Sequence, residues 1–414
     1  MSNQYKVNNS LDIKSIYQNE IDEFRKHMEP LLKKYPCYDT DYGLLRWLRG
    51  SKFDKEVAAE KMKWSLNTIN AVGTFDKDFS SVEKIETILK AASPSAEYFP
   101  GGIIGYDKNG YVLILHNIGK AHPRSLIGAE RVSQFYINSI YGYEATQCLI
   151  RSEEAKRGCK LGAVVIIDLS GFSYDIVFHL PATKIYISAI IMLQDMFPDV
   201  AVRLYVVNTP IAVQFLLRMV LMNVAKSNII MFFPYLSERI CYLWSKLYQT
   251  NHLKETVNLL EFLGNDWKDI LVGRHGAKFL PKRYGGLLGD DIFRKGGEVP
   301  NSVAQMNKKH VADEKLKKIT VSARDEAVIS ICVEKPNSRL FWYFVCSSGD
   351  IDFCVLFEKQ EVWPRFRIYT EFTAEYNEIV CKEVGTYQLL FSNKHGRVWS
   401  KCIQYYIDVK QPLA

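Results

Sequence analysis

A short run of almost wholly apolar residues, Leu161 to Asp168 (LGAVVIID), is the sequence feature that most constrains the fold. Its β-branched residues favour an extended chain, and the lack of alternating polar residues indicates a strand buried on both faces. Arg203 to Asn208 (RLYVVN) has the same character, and Lys184 to Phe197 between them carries apolar residues at helical spacing. The order of strand, helix and strand predicts a parallel α/β sheet.

The residues before this unit predict helices and one further strand. Leu11 to Tyr35 and Leu44 to Ile69 have apolar residues at roughly helical spacing, which indicates an N-terminal helical lobe. An Asn-Gly turn within Asp107 to Gly110 leads directly into an apolar run, Gly110 to Leu115. A tight turn that feeds a strand is the simplest interpretation.

The residues after the sheet change character twice. Leu287 to Lys318 is rich in glycine and lysine, and it predicts a basic, irregular linker. From about Ile319 apolar and polar residues alternate, as in Ile351 to Glu358, which predicts a small antiparallel β-sandwich. With 414 residues, the chain exceeds what one core usually supports. We therefore predict a multidomain protein with a helical lobe (1–75), a mostly parallel α/β domain (76–288), a linker (289–318) and an all-β sandwich (319–414).

Composition and charge narrow the classes of function. A net charge of +7 suits an anionic membrane or a nucleic acid, and a solvated basic face is the ordinary alternative. No basic patch interleaved with aromatic residues is found, so no nucleic-acid partner is expected. The polar start, Met1 to Asn9, predicts a cytoplasmic protein without a secretory signal. Nine cysteines without a CxxC pair indicate reduced thiols rather than a metal framework.

An α/β sheet invites an enzyme hypothesis, which the motifs do not support. The chain contains no GxGxxG, GxxxxGK[ST] or GxSxG motif, and its histidines form no i, i+4 pair. Asp168 ends a buried strand, where many α/β enzymes place a catalytic carboxylate. The following residues, Leu169 to Gly171, supply no base or nucleophile, so a turn role is preferred. We expect no enzyme activity, no metal and no cofactor.

The most apolar stretch, Ile211 to Leu236, is long enough to span a membrane. Arg218 and Lys226 lie inside it, and each central charge would cost roughly 2.5–3.5 kcal/mol in a bilayer. A long helix that covers a hydrophobic site is the preferred interpretation.

A series of motifs in a fixed order resembles a known family. They are LLRWLRGSKFD (44–54), GGIIGYDKNG (101–110), VVIIDLSGFS (164–173), FPDVAVRLYVVNTP (197–210), LGNDWKDIL (263–271), LPKRYGG (280–286) and GGEVP (296–300). This series resembles the CRAL-TRIO lipid-binding domain and the linker of its two-domain members. The β-rich tail, with LFWYFVCSSGDIDFCVLFEK (340–359) and GTYQLLFSN (385–393), is similar to the Golgi-dynamics (GOLD) domain. The combination is typical of the supernatant-protein-factor and tocopherol-associated-protein group.

The resemblance implies a sheet that floors a lipid cavity, a mobile gate helix that closes it, and a sandwich for protein contacts. The residues expected to contact the lipid are Ile103, Ile114, Ala163, Val165 and Ile167 in the floor, and Phe215 and Met219 in the lid. For each of these residues alone, ordinary core packing is at least as good an explanation. The bound hydrophobic lipid is the only ligand expected.

The predicted ligand is a neutral lipid, such as a tocopherol-like or sterol-precursor-like molecule. Phospholipid-transferring relatives place polar head-group contacts at positions that match Ile103, Ile114, Ala163 and Val165, which are all apolar here. The lysine that relatives use for an inositol phosphate falls near Leu259, while its carboxylate partner matches Asp199. A buried phosphate without a counter-charge is disfavoured by its desolvation penalty.

Two alternative functions stay open, namely a lipid-sensing adaptor whose GOLD domain recruits Golgi or vesicle proteins, and a phosphatidylinositol transfer protein. We also expect transient docking to anionic membranes, with peripheral membrane or Golgi association, at roughly 1 kcal/mol per basic residue. The residues expected to assist docking are the linker lysines and Lys254, Lys278, Lys282 and Arg283. Between Pro210 and Leu263 the chain is longer than the family pattern, through either an elaborated gate or an artefact of the gene model.

Overall fold

The structure, a computed structural model, describes residues 10–93, 95–173, 179–210, 259–306, 310–347 and 349–412. In these ranges it has a helical N-terminal region, a five-stranded mixed sheet and two C-terminal four-stranded antiparallel sheets. The predicted fold class is confirmed at this level of detail. None of the described helices combines the length and the apolar character that crossing a bilayer requires.

The described residues before the sheet form six α-helices, the first five of which lie in the predicted helical lobe, and three of the six begin at a side-chain cap. They are α1 (Ser10–Ile16), α2 (Gln18–His27), α3 (Glu29–Lys34), α4 (Asp41–Gly50), α5 (Lys55–Ala71) and α6 (Val82–Ala92). Thr40, Asp54 and Ser81 accept backbone N–H groups at the starts of α4, α5 and α6. Such a cap satisfies a donor that the first helical turn leaves unpaired.

The central sheet has the order β1-β2-β3-β4-β5, in which only β1 is antiparallel to its neighbour. The strands are β1 (Gly101–Tyr106), β2 (Val112–His116), β3 (Ala163–Asp168), β4 (Ala201–Val207) and β5 (Leu260–Phe262). The helices of this part are α7 (Pro123–Ala129), α8 (Val132–Arg157), α9 (Leu180–Met196), α10 (Trp267–His275) and α11 (Asn301–Met306). The strands predicted from Leu161 and Arg203 are confirmed, and the helix predicted from Lys184 begins four residues earlier, where Pro181 fits the first turn.

The predicted Asn-Gly turn joins β1 and β2. The Gly110 N–H donates to the Asp107 carbonyl at 3.1 Å, and Gly110 has a φ of 92°, a region that favours glycine. The Asp107 carboxylate accepts the N–H groups of Asn109 and Tyr111, each at 2.8 Å. The side chain of Asp107 therefore satisfies backbone donors of the turn. Because these contacts are local, the turn can be predicted from the local sequence.

One face of the sheet is covered by α10 and the residues that follow it. Leu113, Leu115, Val164 and Ile166 on this face are buried. They belong to one apolar cluster with residues of and after α10, namely Trp267, Leu271, Leu280 and Tyr284.

The C-terminal sandwich consists of eight antiparallel strands in two sheets, ordered β10-β9-β12-β7 and β11-β8-β13-β6. The strands are β6 (Lys317–Val321), β7 (Glu326–Val333), β8 (Ser338–Cys346), β9 (Asp350–Phe357), β10 (Gln360–Tyr369), β11 (Glu375–Cys381), β12 (Gly385–Ser392) and β13 (Lys401–Lys410). Aromatic rings fill its core: Phe391 lies 5.1 Å from Phe344 and 5.0 Å from Phe353, between ring centroids. The sandwich thus begins within two residues of the predicted Ile319.

The predicted linker, 289–318, is more ordered than its composition indicates. Phe293 and Val299 are buried, and α11 lies within the segment. Arg294 and Gly101 exchange two backbone hydrogen bonds, at 3.0 and 2.8 Å. The first part of the segment therefore packs on the α/β domain beside β1.

The sandwich contacts the α/β domain through the start of α8. The Ser133 hydroxyl donates to the Glu375 carboxylate at 2.6 Å, and the Tyr136 hydroxyl donates to the Arg367 carbonyl at 3.1 Å. The Arg131 guanidinium lies 4.3 Å from the centre of the Tyr376 ring. Glu375 is fully buried, and this burial raises its pKa to about 7.

A buried ion pair joins the helical lobe to the α/β domain. Arg46 on α4 and Glu154 on α8 are 2% and 4% exposed, and their side chains form a two-pronged contact. Both also bind the backbone of Leu161, just before β3: Arg46 donates to its carbonyl at 2.9 Å, and Glu154 accepts its N–H at 2.8 Å. The pair therefore fixes α4, α8 and β3 relative to one another.

We predict that Arg46→Ala lowers the free energy of unfolding by about 3–5 kcal/mol, because Glu154 would stay buried without a counter-charge. Urea denaturation of the full chain measures this change. Lys33→Ala, which breaks the exposed Lys33–Glu29 pair, is the control and should cost no more than about 1 kcal/mol. Equal effects of the two substitutions would contradict the assignment.

Candidate functional site

A row of apolar side chains crosses the face of the sheet opposite to α10. Ile103 is paired with Ile114, and Ile114 with Val165. Val165 is paired in turn with Leu204 on β4. Residues paired directly across neighbouring strands project to the same side of a sheet. The structure thus brings together three of the residues predicted for the floor.

The other two predicted floor residues, Ala163 and Ile167, lie on β3 at alternate positions to Val165 and therefore on the same side. We call this side the apolar face, defined by Ile103, Ile114, Ala163, Val165, Ile167 and Leu204. Ile103 and Ala163 are buried within the main core.

The middle of the apolar face is accessible, unlike the face under α10. Ile114, Val165 and Ile167 are only half-buried, whereas their neighbours Leu115 and Ile166 are buried. Because β2 and β3 are flanked by strands on both sides, this accessibility comes from the face and not from a sheet edge. An accessible apolar surface in the middle of a domain is typical of a site for a hydrophobic ligand.

The apolar face is also uncharged near neutral pH. Among the described residues, the imidazole of His116 lies next to this face, since His116 is paired with Ile167. Burial, together with the Arg294 guanidinium, lowers the pKa of His116 to about 4. The ring is therefore neutral under ordinary conditions.

The carboxylate of Asp168, at the end of β3, is fully engaged by structural donors. It accepts the Ser170 N–H and the Asn208 side-chain amide, each at 2.8 Å. The Tyr284 hydroxyl lies 2.8 Å from the second carboxylate oxygen, and burial together with Asp168 raises the pKa of Tyr284. Asp168 thus has the turn role that the sequence indicated, while its long-range partner Tyr284 was not predicted.

Asp199, the predicted head-group carboxylate, has cations of its own in the structure. Lys160 lies 3.0 Å from its carboxylate, and Arg49 lies 3.5 Å away. Lys160 is buried, which lowers its pKa, although Asp199 opposes the shift. Sequence analysis missed both partners, and the head-group role of Asp199 stays a prediction.

The predicted lid residues Phe215 and Met219, and the docking residue Lys254, lie outside the described residues. Lys278 and Lys282 are exposed on short 3-10 turns, whereas Arg283 is half-buried and donates to the Ser170 hydroxyl at 3.2 Å.

Leu287 extends the exposed basic surface. It is 64% exposed, and its N–H donates to the Ala277 carbonyl at 2.8 Å. The Lys282 N–H donates in turn to the Leu288 carbonyl at 2.9 Å, so the exposed residues Lys278, Lys282 and Leu287 are neighbours, and we call them the Lys278 patch. Leu287 was not predicted as part of a docking surface, because the sequence does not reveal which leucines are exposed.

A separate crevice of about 1560 Å³ lies between the helical lobe and the sandwich. Its walls include Trp64 of α5, Tyr141 of α8 and Trp363 of β10, together with lysines and glutamates. None of the residues that define the apolar face lines it. In the part of the chain that the structure describes, no group of three or more His, Cys, Asp or Glu side chains could hold a metal ion.

One family model and several known proteins are similar to parts of this chain. The family model of the CRAL/TRIO domain matches residues 96–232. A CRAL-TRIO domain-containing protein of Caenorhabditis elegans is 19% identical over 338 residues, which are 80% of this chain and 74% of that protein. A phosphatidylinositol/phosphatidylcholine transfer protein of Arabidopsis thaliana is 24% identical over 206 residues, 46% of this chain, and the alignment spans only 32% of that relative. A crystal structure of Sfh5 covers 49% of this chain and 74% of its own, at 13% identity and a TM-score of 0.34.

Proposed function

We propose that the chain holds one lipid-like molecule against the apolar face and transfers or presents it, and the match of residues 96–232 to the CRAL/TRIO family model supports this. The accessible side chains of Ile114, Val165 and Ile167 carry this proposal. Burying a lipid chain of a dozen methylenes there would contribute about 10 kcal/mol to the binding free energy, at about 0.8 kcal/mol for each methylene. The proposed role involves no enzymatic reaction and no cofactor besides the lipid.

We infer that the ligand is a neutral lipid. Among the described residues, those that define the apolar face carry no cation for a phosphate, His116 beside them is neutral, and the charge of Asp199 is already compensated by Lys160. Transfer of phosphatidylinositol is the alternative, and the similarity to a plant phosphatidylinositol/phosphatidylcholine transfer protein supports it.

We predict that the full-length protein purifies with one neutral lipid per chain, identified by mass spectrometry of extracted lipid. Val165→Thr places an unpaired hydroxyl against the ligand at a cost of about 1–3 kcal/mol, so lipid occupancy should fall. Val384→Thr, at an exposed position between β11 and β12, is the matched control and should keep wild-type occupancy. Stoichiometric phosphatidylinositol in the extract would contradict the neutral-lipid inference. Unchanged lipid occupancy in Val165→Thr would contradict the assignment of the apolar face as the lipid site.

Delivery of a lipid requires contact with a membrane, and we propose that the Lys278 patch makes this contact. Its two ammonium groups suit anionic head groups, while Leu287 can enter the interface between head groups and acyl chains. The proposed location is cytoplasmic, with peripheral membrane or Golgi association.

We predict that Lys278→Gln/Lys282→Gln weakens binding to anionic vesicles by about 2 kcal/mol, or roughly thirtyfold, and that added salt reduces the difference. Vesicle co-sedimentation measures it. Lys26→Gln/Lys63→Gln on exposed positions of the helical lobe removes the same charge and should have little effect. Binding that is indifferent to salt would contradict the electrostatic contact.

A second candidate function, that of a lipid-sensing adaptor, would use the sandwich as a GOLD domain. Val328 on β7 and Val380 on β11 are exposed, and both strands lie at sheet edges. A partner strand can add at such an edge, although the start of α8 already contacts the first two residues of β11.

If the sandwich recruits Golgi or vesicle proteins through these edges, Val328→Asp/Val380→Asp should abolish recruitment without changing the bound lipid. Proximity labelling in cells, with Val384→Asp as the control, measures this. An unchanged set of labelled proteins would argue against the adaptor role.

A further inference from the structure

The loop between β12 and β13 presents two large apolar side chains to solvent. Val398 is 73% exposed and Trp399 is 80% exposed, more than any other large apolar side chain that the structure describes. They are adjacent in sequence, so together they form an apolar tip. Exposed tryptophan is uncommon on surfaces without a partner, because its ring loses favourable contacts in water.

The loop that carries this tip is held in a fixed conformation by Asn393. The buried side-chain amide of Asn393 lies 3.1 Å from the Ser322 carbonyl and 3.0 Å from the Trp399 carbonyl. The Gly396 N–H also donates to the Asn393 carbonyl at 2.9 Å. Trp399 is therefore pre-positioned outside the sandwich core, which lowers the entropy cost of binding.

Basic side chains surround the apolar tip. Arg397 lies next to Val398, and Arg324 lies on the adjoining loop, whose backbone bonds to Asn393. No ion pair involves either arginine among the described residues, whereas Lys394 is paired with Glu326 at 2.8 Å. Arg397, adjacent to the apolar tip, and Arg324 on the adjoining loop give this end of the sandwich a positive charge that suits the phosphates of an anionic bilayer.

Strand register places this tip at the end of the sandwich that contacts the α/β domain. Ser392, before the loop, is paired with Asp352 of β9, and Asp350 is paired with Tyr369, the last residue of β10. The loop after β10 docks at the same end, where the Thr373 hydroxyl donates to the Ile127 carbonyl at 3.3 Å.

A second contact between the loop after β10 and the α/β domain lies at the start of α9. The Phe372 and His179 rings lie 5.6 Å apart, and His179 directly precedes that helix. Strands β10 and β12 are two positions apart in the sheet, about 10 Å. A bilayer that holds the tip would therefore lie close to the α/β domain.

We propose that Val398 and Trp399 form a membrane anchor that inserts into the interfacial layer of an anionic bilayer. This anchor goes beyond the proposed lipid site, and it depends neither on the bound lipid nor on the Lys278 patch.

The test uses the full chain and vesicles of phosphatidylcholine with phosphatidylserine. Trp399→Ala should weaken vesicle binding about tenfold, because a large apolar side chain no longer leaves water. Arg397→Gln should weaken binding only when phosphatidylserine is present. Val384→Ala and Lys359→Gln, at exposed positions away from this loop, are the matched controls and should bind like the wild type.

A second measurement reports insertion directly. Brominated acyl chains should quench part of the tryptophan fluorescence of the wild type, and Trp399→Phe should lose that part. Wild-type vesicle binding by Trp399→Ala, or identical quenching in both proteins, would overturn the anchor and indicate a protein partner for the tip. A defect confined to Lys278→Gln/Lys282→Gln would overturn the anchor but leave the proposed function intact.

Discussion

Helix α8 buries polar groups along its length, and Ser133, Glu144 and Glu154 have partners in other parts of the chain. Glu154 is neutralised by Arg46 of the helical lobe, and Ser133 binds Glu375 of the sandwich. Glu144 accepts from Tyr38 and from Arg151 on its own helix. Because an unpaired buried charge costs several kcal/mol, these partners have little freedom to move away. The three regions of the protein are therefore assembled around this one helix.

The two sides of the central sheet have similar amino-acid compositions, but they differ in how far other elements cover them. Both sides carry valine, isoleucine and leucine, yet Ile166 is buried under α10 whereas Val165 stays accessible. Ile103 and Ala163 belong to the main core with residues of the helical lobe and α8, whereas Ile114, Val165 and Ile167 are only half-buried. Partly exposed apolar side chains on a rigid sheet suit the proposed reversible lipid binding, since the ligand would then supply further contacts.

This difference marks the limit of what the sequence predicts. The strands of the sheet and the turn at Asp107 follow from local patterns, because β-branched runs and Asn-Gly turns determine their own conformation. The pairing of Arg46 with Glu154 joins residues 108 positions apart, and no local pattern encodes it. Likewise, no property of Val165 and Ile166 distinguishes the accessible side chain from the buried one; only the packed structure does.

For the proposed membrane contacts, the arrangement of the regions would matter as much as the contacts themselves. The Lys278 patch lies on the α/β domain and the Trp399 tip on the sandwich, while the interface around Glu375 holds these regions together. When two weak contacts are joined rigidly, the second binds at a high effective concentration, provided that one surface can reach both. Separate contacts of a few kcal/mol each can then combine into binding that is firm enough for lipid delivery but still reversible. The buried interface between the sandwich and α8 would thus contribute to membrane binding without touching the membrane.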